Sequence, residues 1–269
     1  MSFDFNAYLN RIGIARPEPT LAGLSALQQA QLSAIPFENI NPLLGLLPDL
    51  EPAALMDKIV ASRRGGYCFE LNGLFEHALN ELGFAYQPIM ARVRMGRSEG
   101  GPRLHLGFIV EADGESWLVD VGFGGPSHYR PLRLGTEQGQ MLDHNRFRLR
   151  QEAESGETVL ERQQDGDWFA LYSFDRSRVQ RCDLEAANLV CTTWDQSLLS
   201  QNLLVCRNTA AGWVQLFNTN FSQFRAGEQV STPVNSRAQL CDVLGEHFDI
   251  ELTDEELARL AERLALAAG

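Results

Sequence analysis

One cysteine occupies a position that suits nucleophilic chemistry. Cys68 follows the pair Gly65-Gly66 and lies three residues before Leu71, where apolar residues at 71, 74, 75, 78, 79 and 82 predict one buried helical face. The unpaired N–H groups and the positive dipole end at a helix N-terminus favour a thiolate over a thiol. Cys68 is therefore a candidate nucleophile, although most lone cysteines are simply small core residues.

A nucleophilic thiol needs a base, and the base needs a third group that holds its tautomer. His105 lies in the predicted strand 103–110, on the face opposite to Leu104 and Leu106. Asp120 lies near the end of the next apolar strand, after the tight-turn signal Asp113-Gly114. Such a hairpin would bring His105 and Asp120 onto neighbouring strands. Taken singly, they are more simply a satisfied core histidine and a surface residue near a turn.

The periodicity around these residues divides the chain into three parts. Residues 1–83 are predicted to be helical, with helices at Leu21–Ala34 and Pro52–Ser62, and the Cys68 helix ends before Gly83. Residues 84–182 are predicted to be rich in β-structure because alternating stretches recur between turn signals. These stretches are Phe84–Met95, Leu104–Glu111, Ser116–Val121, Arg146–Glu152, Glu157–Gln163 and Trp168–Ser173.

The last third is predicted to mix helix and strand. Asp183–Gln201 has the pattern of a helix with an irregular middle, and two strands are predicted to flank a turn at Ala211-Gly212. The predicted strands are Leu203–Arg207, Trp213–Asn218 and Phe221–Arg225. Ser236 is predicted to cap a helix over Arg237–His247, and a capping box at Thr253 precedes a predicted helix over Leu257–Ala267.

Composition excludes several classes of protein. The 269 residues carry a net charge of −12, which argues against nucleic acid or an anionic membrane as the partner. No apolar run approaches the roughly 20 residues that span a bilayer, and the N-terminus lacks the pattern of a signal peptide. The five cysteines are odd in number and have no metal-ligand spacing, which predicts reduced thiols in a cytoplasm and no bound metal. All except Cys68 are predicted to be passive: Cys182, Cys191, Cys206 and Cys241.

Four motifs in a fixed order resemble those of the arylamine N-acetyltransferase family. The resemblance runs from about Tyr8 to at least the Asn188 region, and more weakly to the C-terminus. The motifs are Ile35-Pro36-Phe37-Glu38-Asn39-Ile40, Arg64-Gly65-Gly66-Tyr67-Cys68-Phe69-Glu70, a histidine on an apolar strand, and Val119-Asp120-Val121-Gly122-Phe123-Gly124. The resemblance implies a triad of Cys68, His105 and Asp120 that takes an acetyl group from acetyl-CoA. The acceptor would be an aromatic amine, hydrazine or hydroxylamine.

The resemblance also implies an architecture. The expected fold is α+β, with an N-terminal helical bundle, a central antiparallel β-barrel, a C-terminal α/β lid and a papain-like Cys-His-Asp core. The expected domains are 1–83 with the nucleophile, 84–182 with the base and the acid, an interdomain segment 183–202, and the lid 203–269. The active site would then lie at a domain interface, in a monomer or homodimer.

A mechanism follows from these residue types. His105 would draw the proton from Cys68, and Asp120 would orient the imidazole and stabilise its charged form. An ion pair of thiolate and imidazolium is expected at rest. Acetyl transfer to Cys68 and then to the amine gives a ping-pong order. The oxyanion would be held by the N–H group of Cys68 and by a second donor that the sequence does not identify.

The resemblance further implies binding residues. Gly122, Gly124 and Gly125 would let backbone N–H groups approach the anionic coenzyme. The aromatic walls of the substrate pocket would be Phe37, Tyr67 and Phe123, although each could be ordinary core.

The segment 188–199 departs from the family pattern. The family usually carries a proline before the serine of this segment and an aromatic residue after it, where this chain has Asp195 and Leu199. Losing an aromatic wall at Leu199 would change the volume of the pocket and the stacking within it, so acceptor preference cannot be carried over from the family.

Three other functions remain open from the residues alone. A thiol hydrolase or transglutaminase-like enzyme would use the same triad on an extended peptide. An amide synthase would use Cys68 on a carrier-bound acyl chain. A binding protein with an inactive triad would keep the fold without the chemistry.

Overall fold

Helices occupy most of the chain before residue 84. The computed structural model describes residues 3–142, 145–209, 212–225 and 228–267. The helices are α1 (Phe5–Ile12), α2 (Leu21–Ala34), α3 (Ile40–Leu43), α4 (Pro52–Leu55), which continues as a π-helix over Met56–Ala61, and α5 (Cys68–Leu82). The apolar stripe of α5 is buried as predicted, and the helix ends at Gly83, whose φ of 76° is left-handed.

The middle of the chain forms an eight-stranded antiparallel sheet that curls into a nearly closed barrel. Its spatial order is β5-β4-β3-β2-β9-β8-β7-β6. The strands are β2 (Ala85–Val93), β3 (Arg103–Ala112), β4 (Glu115–Val119), β5 (Leu132–Arg133), β6 (Gln140–Leu142), β7 (Asn145–Gln151), β8 (Thr158–Gln164) and β9 (Asp167–Phe174). The sequence prediction missed β5 and β6 because strands of two or three residues have no measurable alternation.

The β3–β4 hairpin fixes the position of the candidate base and acid. Phe108 pairs with Val119, so Asp120 follows the last residue of β4. His105 pairs with Ala91 of β2, three residues before Phe108 on β3. The hairpin thereby places both side chains near one end of the barrel sheet.

A second sheet joins the two ends of the chain. Its order is β1-β10-β11-β12-β13, with β1 (Phe37–Glu38), β10 (Leu204–Thr209), β11 (Gly212–Phe217), β12 (Asn220–Arg225) and β13 (Glu228–Pro233). The accompanying helices are α6 (Arg181–Thr193), α7 (Leu198–Gln201), α8 (Arg237–Phe248) and α9 (Asp254–Arg263). The turn predicted at Ala211-Gly212 lies partly outside the described residues.

The last helix differs from its prediction. It begins directly after Thr253, whose hydroxyl accepts from the N–H of Glu256, and it ends at Arg263 rather than Ala267. Ala265 adopts a φ of 53°, and the carbonyl of Ala267 accepts the N–H of Arg237 at 3.1 Å. The chain therefore turns back to pair beside α8 instead of continuing the helix.

One apolar cluster fastens the helices to the barrel. It combines the buried faces of α1, α2 and α5 with residues of β2, β3 and β4 and with Ala187 and Cys191 of α6. Because this core crosses the boundary between helix and barrel, the start of α5 is held rigidly against β3. Among the described residues, no helix combines the length and apolar character needed to cross a bilayer.

Candidate active site

The sulfur of Cys68 points from the first residue of α5 towards β3. It lies 3.6 Å from the carbonyl oxygen of Leu104, and the residue is only 4% exposed. The helix start is closed by Glu70, whose carboxylate accepts the N–H of Tyr67 at 3.1 Å. Cys68 therefore occupies the position that the sequence predicted, at a capped helix N-terminus.

Burial and local dipoles act in opposite directions on this thiol. Burial raises the pKa of Cys68 well above its ordinary value, and the neighbouring Cys191 and Asp120 raise it further. The backbone N–H groups of Leu106 and Phe69 lower it. A thiolate here needs a nearby cation to offset its loss of solvation.

His105 and Asp120 form a close pair out of contact with solvent. His105 Nε2 lies 2.7 Å from Asp120 Oδ2, and the two residues are 3% and 0% exposed. Burial raises the pKa of Asp120, but the charge and hydrogen bond of His105 outweigh it, together with smaller contributions that include the N–H of Gly122, and the pKa is lowered. Asp120 is thus an anion that faces the His105 ring.

A buried asparagine of α5 holds this pair in place. Asn72 Nδ2 donates to Leu106 O at 2.7 Å and to Asp120 Oδ1 at 3.1 Å, and its Oδ1 accepts the N–H of Val121 at 3.1 Å. Sequence reasoning missed Asn72. The available signal was a polar residue four positions after Cys68 and therefore on the same helical face.

Two aromatic rings pack against the candidate base. The centroids of Phe123 and Tyr172 lie 5.3 and 5.1 Å from that of His105. Phe123 was predicted to face substrate, whereas Tyr172, from the distant strand β9, was not predicted. The rings fix the imidazole plane and exclude water from it.

A narrow cleft opens beside the Phe123 ring, with a volume of about 20 Å³, which is room for about one water molecule. It is lined by four of the seven predicted binding residues: Phe37, Phe123, Gly124 and Gly125. Gly124 has a φ of +72°, and a Cβ there would lie 2.7 Å from the Phe37 ring, so a side chain is excluded at this position. The other lining residues are Leu32, Ile35, Val121, Ser127, Cys206, Arg207, Asn208 and Trp213.

The remaining predicted binding residues have other surroundings. Gly122 packs behind the nucleophile, where a Cβ would lie 2.8 Å from the Cα of Cys68. Tyr67 is fully buried and its hydroxyl donates to Asn188 Oδ1. Leu199 is half-buried against the main core. Gly122 and Tyr67 thus pack around Cys68, away from the cleft.

The segment 35–40 joins the site to the second sheet. Asn39 Nδ2 donates to the carbonyls of Leu199 and Asn202 at 2.6 and 2.7 Å, and Asn39 Oδ1 accepts the N–H of Leu204 at 2.7 Å. Phe37 pairs with Cys206 across β1 and β10. One side chain therefore positions the whole 199–204 segment, a role that sequence reasoning did not identify.

Buried ion pairs lie next to the loop Gly65-Gly66 that precedes Cys68. Glu38, which is 0% exposed, lies 2.9 Å from Arg64 Nη2 and 3.4 Å from Lys58 Nζ. Lys58 also lies 2.7 Å from Glu70. Within the described part of the chain, no cluster of three or more His, Cys, Asp or Glu residues could hold a metal ion.

Comparisons with known proteins find matches that span most of this chain. An N-acetyltransferase family model matches residues 20–257. The arylamine N-acetyltransferase of Mycolicibacterium smegmatis is 36% identical over 275 residues, 98% of this chain and 99% of that protein. An arylamine N-acetyltransferase / N-hydroxyarylamine O-acetyltransferase of Salmonella typhimurium is 36% identical over 241 residues, which cover 88% of this chain and 84% of that protein.

A solved structure extends the likeness to the whole fold. The Mycobacterium marinum arylamine N-acetyltransferase in complex with CoA has a TM-score of 0.90 and 33% sequence identity, covering 97% of this chain and 98% of that chain. The α+β fold with helical bundle, barrel and C-terminal α/β part is therefore confirmed. The helix start, the barrel hairpin and these whole-length matches together show that the chain is an acyltransferase that belongs to the arylamine N-acetyltransferase family.

Proposed function

We propose that this protein transfers an acetyl group from acetyl-CoA, through an acetyl-cysteine at Cys68, to the nitrogen of arylamines or arylhydrazines. The oxygen of arylhydroxylamines is a further acceptor, in line with the name of the Salmonella typhimurium relative. The observation that carries the proposal is a buried thiol at a capped helix start beside the His105–Asp120 pair, whose atoms lie 2.7 Å apart.

In this proposal His105 acts as the base through Nδ1. Its Nε2 is occupied by Asp120, so Nδ1 is the ring nitrogen left for the thiol. Asp120 fixes this tautomer and stabilises the imidazolium that forms when the proton leaves Cys68. Asn72 acts on the reaction only by positioning Asp120 and β3.

The proton rests on His105 before substrate binds. Burial raises the pKa of the Cys68 thiol, which opposes a thiolate. The buried carboxylate of Asp120, on the other side of the His105 ring, acts in the opposite direction because it favours an imidazolium. The Phe69 and Leu106 N–H groups support the thiolate.

The transfer then proceeds in two half-reactions. The thiolate attacks the thioester carbonyl, the oxyanion is held by the N–H group of Cys68, and coenzyme A leaves with the proton from His105. The amine attacks the acetyl-cysteine next, and His105 takes its proton while the thiolate of Cys68 is released. Because coenzyme A leaves before the amine reacts, the kinetics are ping-pong.

Both substrates would enter through the cleft. A relative with 33% identity has been solved in complex with CoA, and Gly124 and Gly125, which carry backbone N–H groups, line the cleft of this chain. These groups would contact the coenzyme. Phe37 and Phe123 would form the aromatic walls for the acceptor, while Leu199 would limit its size and Tyr67 would support the helix start.

The thiol chemistry suits a reducing compartment. All five cysteines are free, three of them buried and two exposed. We assign the protein to the cytoplasm on this basis, where thiols are kept reduced.

Trapping the intermediate tests the proposal. After incubation with acetyl-CoA alone, intact-protein mass spectrometry should show a gain of one acetyl group, located by peptide mapping on Cys68. Addition of an arylamine should discharge it. Cys68→Ser should keep the fold and lose both events, whereas the matched control Cys182→Ser, at an exposed thiol, should keep them.

Reactivity provides an independent readout of the same assignment. Iodoacetamide at low excess should label Cys68 before the other four cysteines because a thiolate is the reactive form. Acetylation or preferential alkylation at another cysteine would contradict the assignment of Cys68.

A further inference from the structure

A second thiol shares a hydrogen-bond acceptor with the nucleophile. Cys191 Sγ lies 3.8 Å from the carbonyl oxygen of Leu104, and Cys68 Sγ lies 3.6 Å from the same atom. A carbonyl oxygen has two lone pairs, so it can accept from both thiols at once. The two sulfur atoms are therefore closer together than the sum of these distances, with Cys191 2% exposed.

The position of Cys191 is fixed by contacts with the start of α5. The hydroxyl of Tyr67, next to Cys68, donates to Asn188 Oδ1, one turn before Cys191 on α6. Asn188 Nδ2 in turn donates to Pro48 O at 2.8 Å, and Ser197 Oγ donates to Cys191 O at 2.8 Å. The proximity of the two thiols is thus a property of how α6 packs.

The proposed acetyl-transfer mechanism does not involve the thiol of Cys191. Burial raises the pKa of Cys191 to about 12, so it stays neutral while Cys68 reacts. A second thiol beside a reactive one is well placed for a different step: as it gives up its proton, its sulfur can attack the sulfur of the oxidised nucleophile.

We propose that Cys68 and Cys191 form a dithiol site, here called the Cys68–Cys191 site, that small hydroperoxides convert to a reversible disulfide. The proposal rests on the proposed nucleophilic role of Cys68. Cys191 is the resolving residue: it turns an oxidised nucleophile into a form that cellular thiols can restore.

The two steps balance with the peroxide as oxidant. The Cys68 thiolate attacks one peroxide oxygen, the O–O bond breaks, and the leaving alkoxide or hydroxide takes a proton to become an alcohol or water. Cys68 is now a sulfenic acid. The Cys191 sulfur then attacks the Cys68 sulfur, the S–O bond breaks, and the hydroxyl leaves as water with the Cys191 proton.

Closing the bond requires rotation of the two side chains. A disulfide needs a sulfur–sulfur distance of about 2.05 Å, so both thiols must swing away from Leu104 O towards each other. Thiol–disulfide exchange with a small dithiol reverses the bond. Without Cys191 the sulfenic acid would continue to the sulfinic acid, which such reductants do not restore.

Mass spectrometry and activity after peroxide treatment test the Cys68–Cys191 site. The wild-type protein, treated with hydrogen peroxide, should lose activity and two hydrogen atoms of mass, and dithiothreitol should restore both. Cys191→Ser keeps a donor for Leu104 O and should transfer acetyl groups before treatment. After peroxide it should gain oxygen atoms at Cys68 and recover little or no activity.

The control separates Cys191 from its neighbours. Trypsin releases Cys68 in the peptide 65–92 and three cysteines together in 182–207, so the cross-linked peptide alone does not identify the partner. Cys182→Ser should behave as the wild-type protein does. The site is overturned if the wild-type protein accumulates sulfinic acid at Cys68 at the rate seen in Cys191→Ser, or if the cross-link survives in Cys191→Ser.

This outcome is distinguishable from failure of the proposed function. Acetylation of Cys68 by acetyl-CoA is measured in the same preparations before peroxide is added. Normal acetylation without a cross-link rejects the dithiol site alone. Absent acetylation rejects the role of Cys68 in transfer.

Discussion

The candidate base contacts a carboxylate that has no exposure to solvent. Asp120 Oδ2 faces His105 Nε2, while Asp120 Oδ1 accepts from the N–H of Gly122 at 2.8 Å and from Asn72 at 3.1 Å. The two oxygens therefore have different tasks. One fixes the carboxylate in the fold and the other acts on the imidazole.

Replacing Asp120 by Asn should separate these tasks. The amide oxygen of Asn can keep the bonds from Gly122 and Asn72, but its N–H group would then face Nε2 and move the ring proton to Nδ1, where it blocks proton transfer. We expect Asp120→Asn to lower kcat/KM by about 10⁴-fold, as in a serine triad. Steady-state kinetics with an arylamine measure this loss, and near-UV circular dichroism checks the fold.

Asp242→Asn provides the control, because Asp242 is an exposed residue of α8. It should leave kcat/KM unchanged. A near-wild-type rate in Asp120→Asn would mean that Asp120 is structural and that another group orients the base.

Leu199 offers a test of acceptor size. If it replaces an aromatic wall, the pocket accepts acceptors bulkier than a plain aniline, and Leu199→Phe should shift preference towards small, flat arylamines. One hydrophobic contact of this kind is worth roughly 1–3 kcal/mol, which corresponds to about tenfold to 200-fold in selectivity. The measurement is the ratio of kcat/KM for a small and a bulky arylamine.

The neighbouring leucine provides the matched control. Leu198 is 53% exposed, so Leu198→Phe adds the same ring where it cannot line the pocket. An unchanged ratio in Leu199→Phe would show that Leu199 lies outside the acceptor pocket.

At the scale of elements, the loop before α5 depends on buried charge. Burial raises the pKa of Glu38, but Lys58 and Arg64 outweigh it and lower the pKa to about 2. Arg64 Nη1 also lies 3.0 Å from Glu256 of α9. The carboxylate of Glu38 therefore binds Lys58 of the π-helix and Arg64, the residue before Gly65-Gly66. Arg64 also connects this carboxylate to α9 through Glu256.

Glu38→Gln should destabilise the protein in a manner that depends on pH. The lowering from 4.5 to about 2 corresponds to about 3 kcal/mol at about 1.4 kcal/mol per pKa unit. A lowered folded-state pKa contributes stability that is fully present above 4.5 and is lost as the pH falls towards 2. Urea unfolding of both proteins at several pH values measures the difference.

An exposed pair serves as the comparison. Glu51 is 67% exposed and pairs with Arg181 on the surface, so Glu51→Gln should change the free energy of unfolding by no more than about 0.5 kcal/mol. A pH-independent difference for Glu38→Gln would show that the effect comes from packing and not from charge.

The elements that the sequence predicted best are those with local signals. Helix α2 matches its prediction residue for residue, and α5 ends at Leu82, before Gly83, where the apolar stripe and the glycine stop predict its end. The Asp113-Gly114 turn predicted the hairpin that brings the side chains of His105 and Asp120 into contact. Distant contacts carry no such signal: Tyr172 reaches His105 from another strand.

Cys191 shows the same limit at one residue. It was predicted to be passive because no glycine-rich helix start lies beside it in sequence. Its position against Leu104 depends on how α6 packs, and the hydrogen bond from Tyr67 to Asn188 fixes that packing. This contact exists only in the folded chain. The sequence names candidates for the reactive residues, whereas it does not show which residues lie next to them in space.

At the scale of the molecule, the division into 1–83, 84–182, 183–202 and 203–269 stays a proposal. The core beneath Cys68 crosses the first boundary, and β1 of the N-terminal part belongs to the C-terminal sheet. Limited proteolysis tests these boundaries, because it releases separate domains only where few contacts connect the two sides of a boundary.

The pairing of Asn39 with residues much later in the chain has a consequence for synthesis. Its partners Leu199, Asn202 and Leu204 follow it by 160, 163 and 165 residues. A ribosome that has already delivered Cys68, His105 and Asp120 has still not delivered these anchors or the β10 partner of Phe37. The nascent chain therefore carries its reactive groups for a long interval before the wall of the cleft can form, and acetylation capacity should arise only when translation is nearly complete.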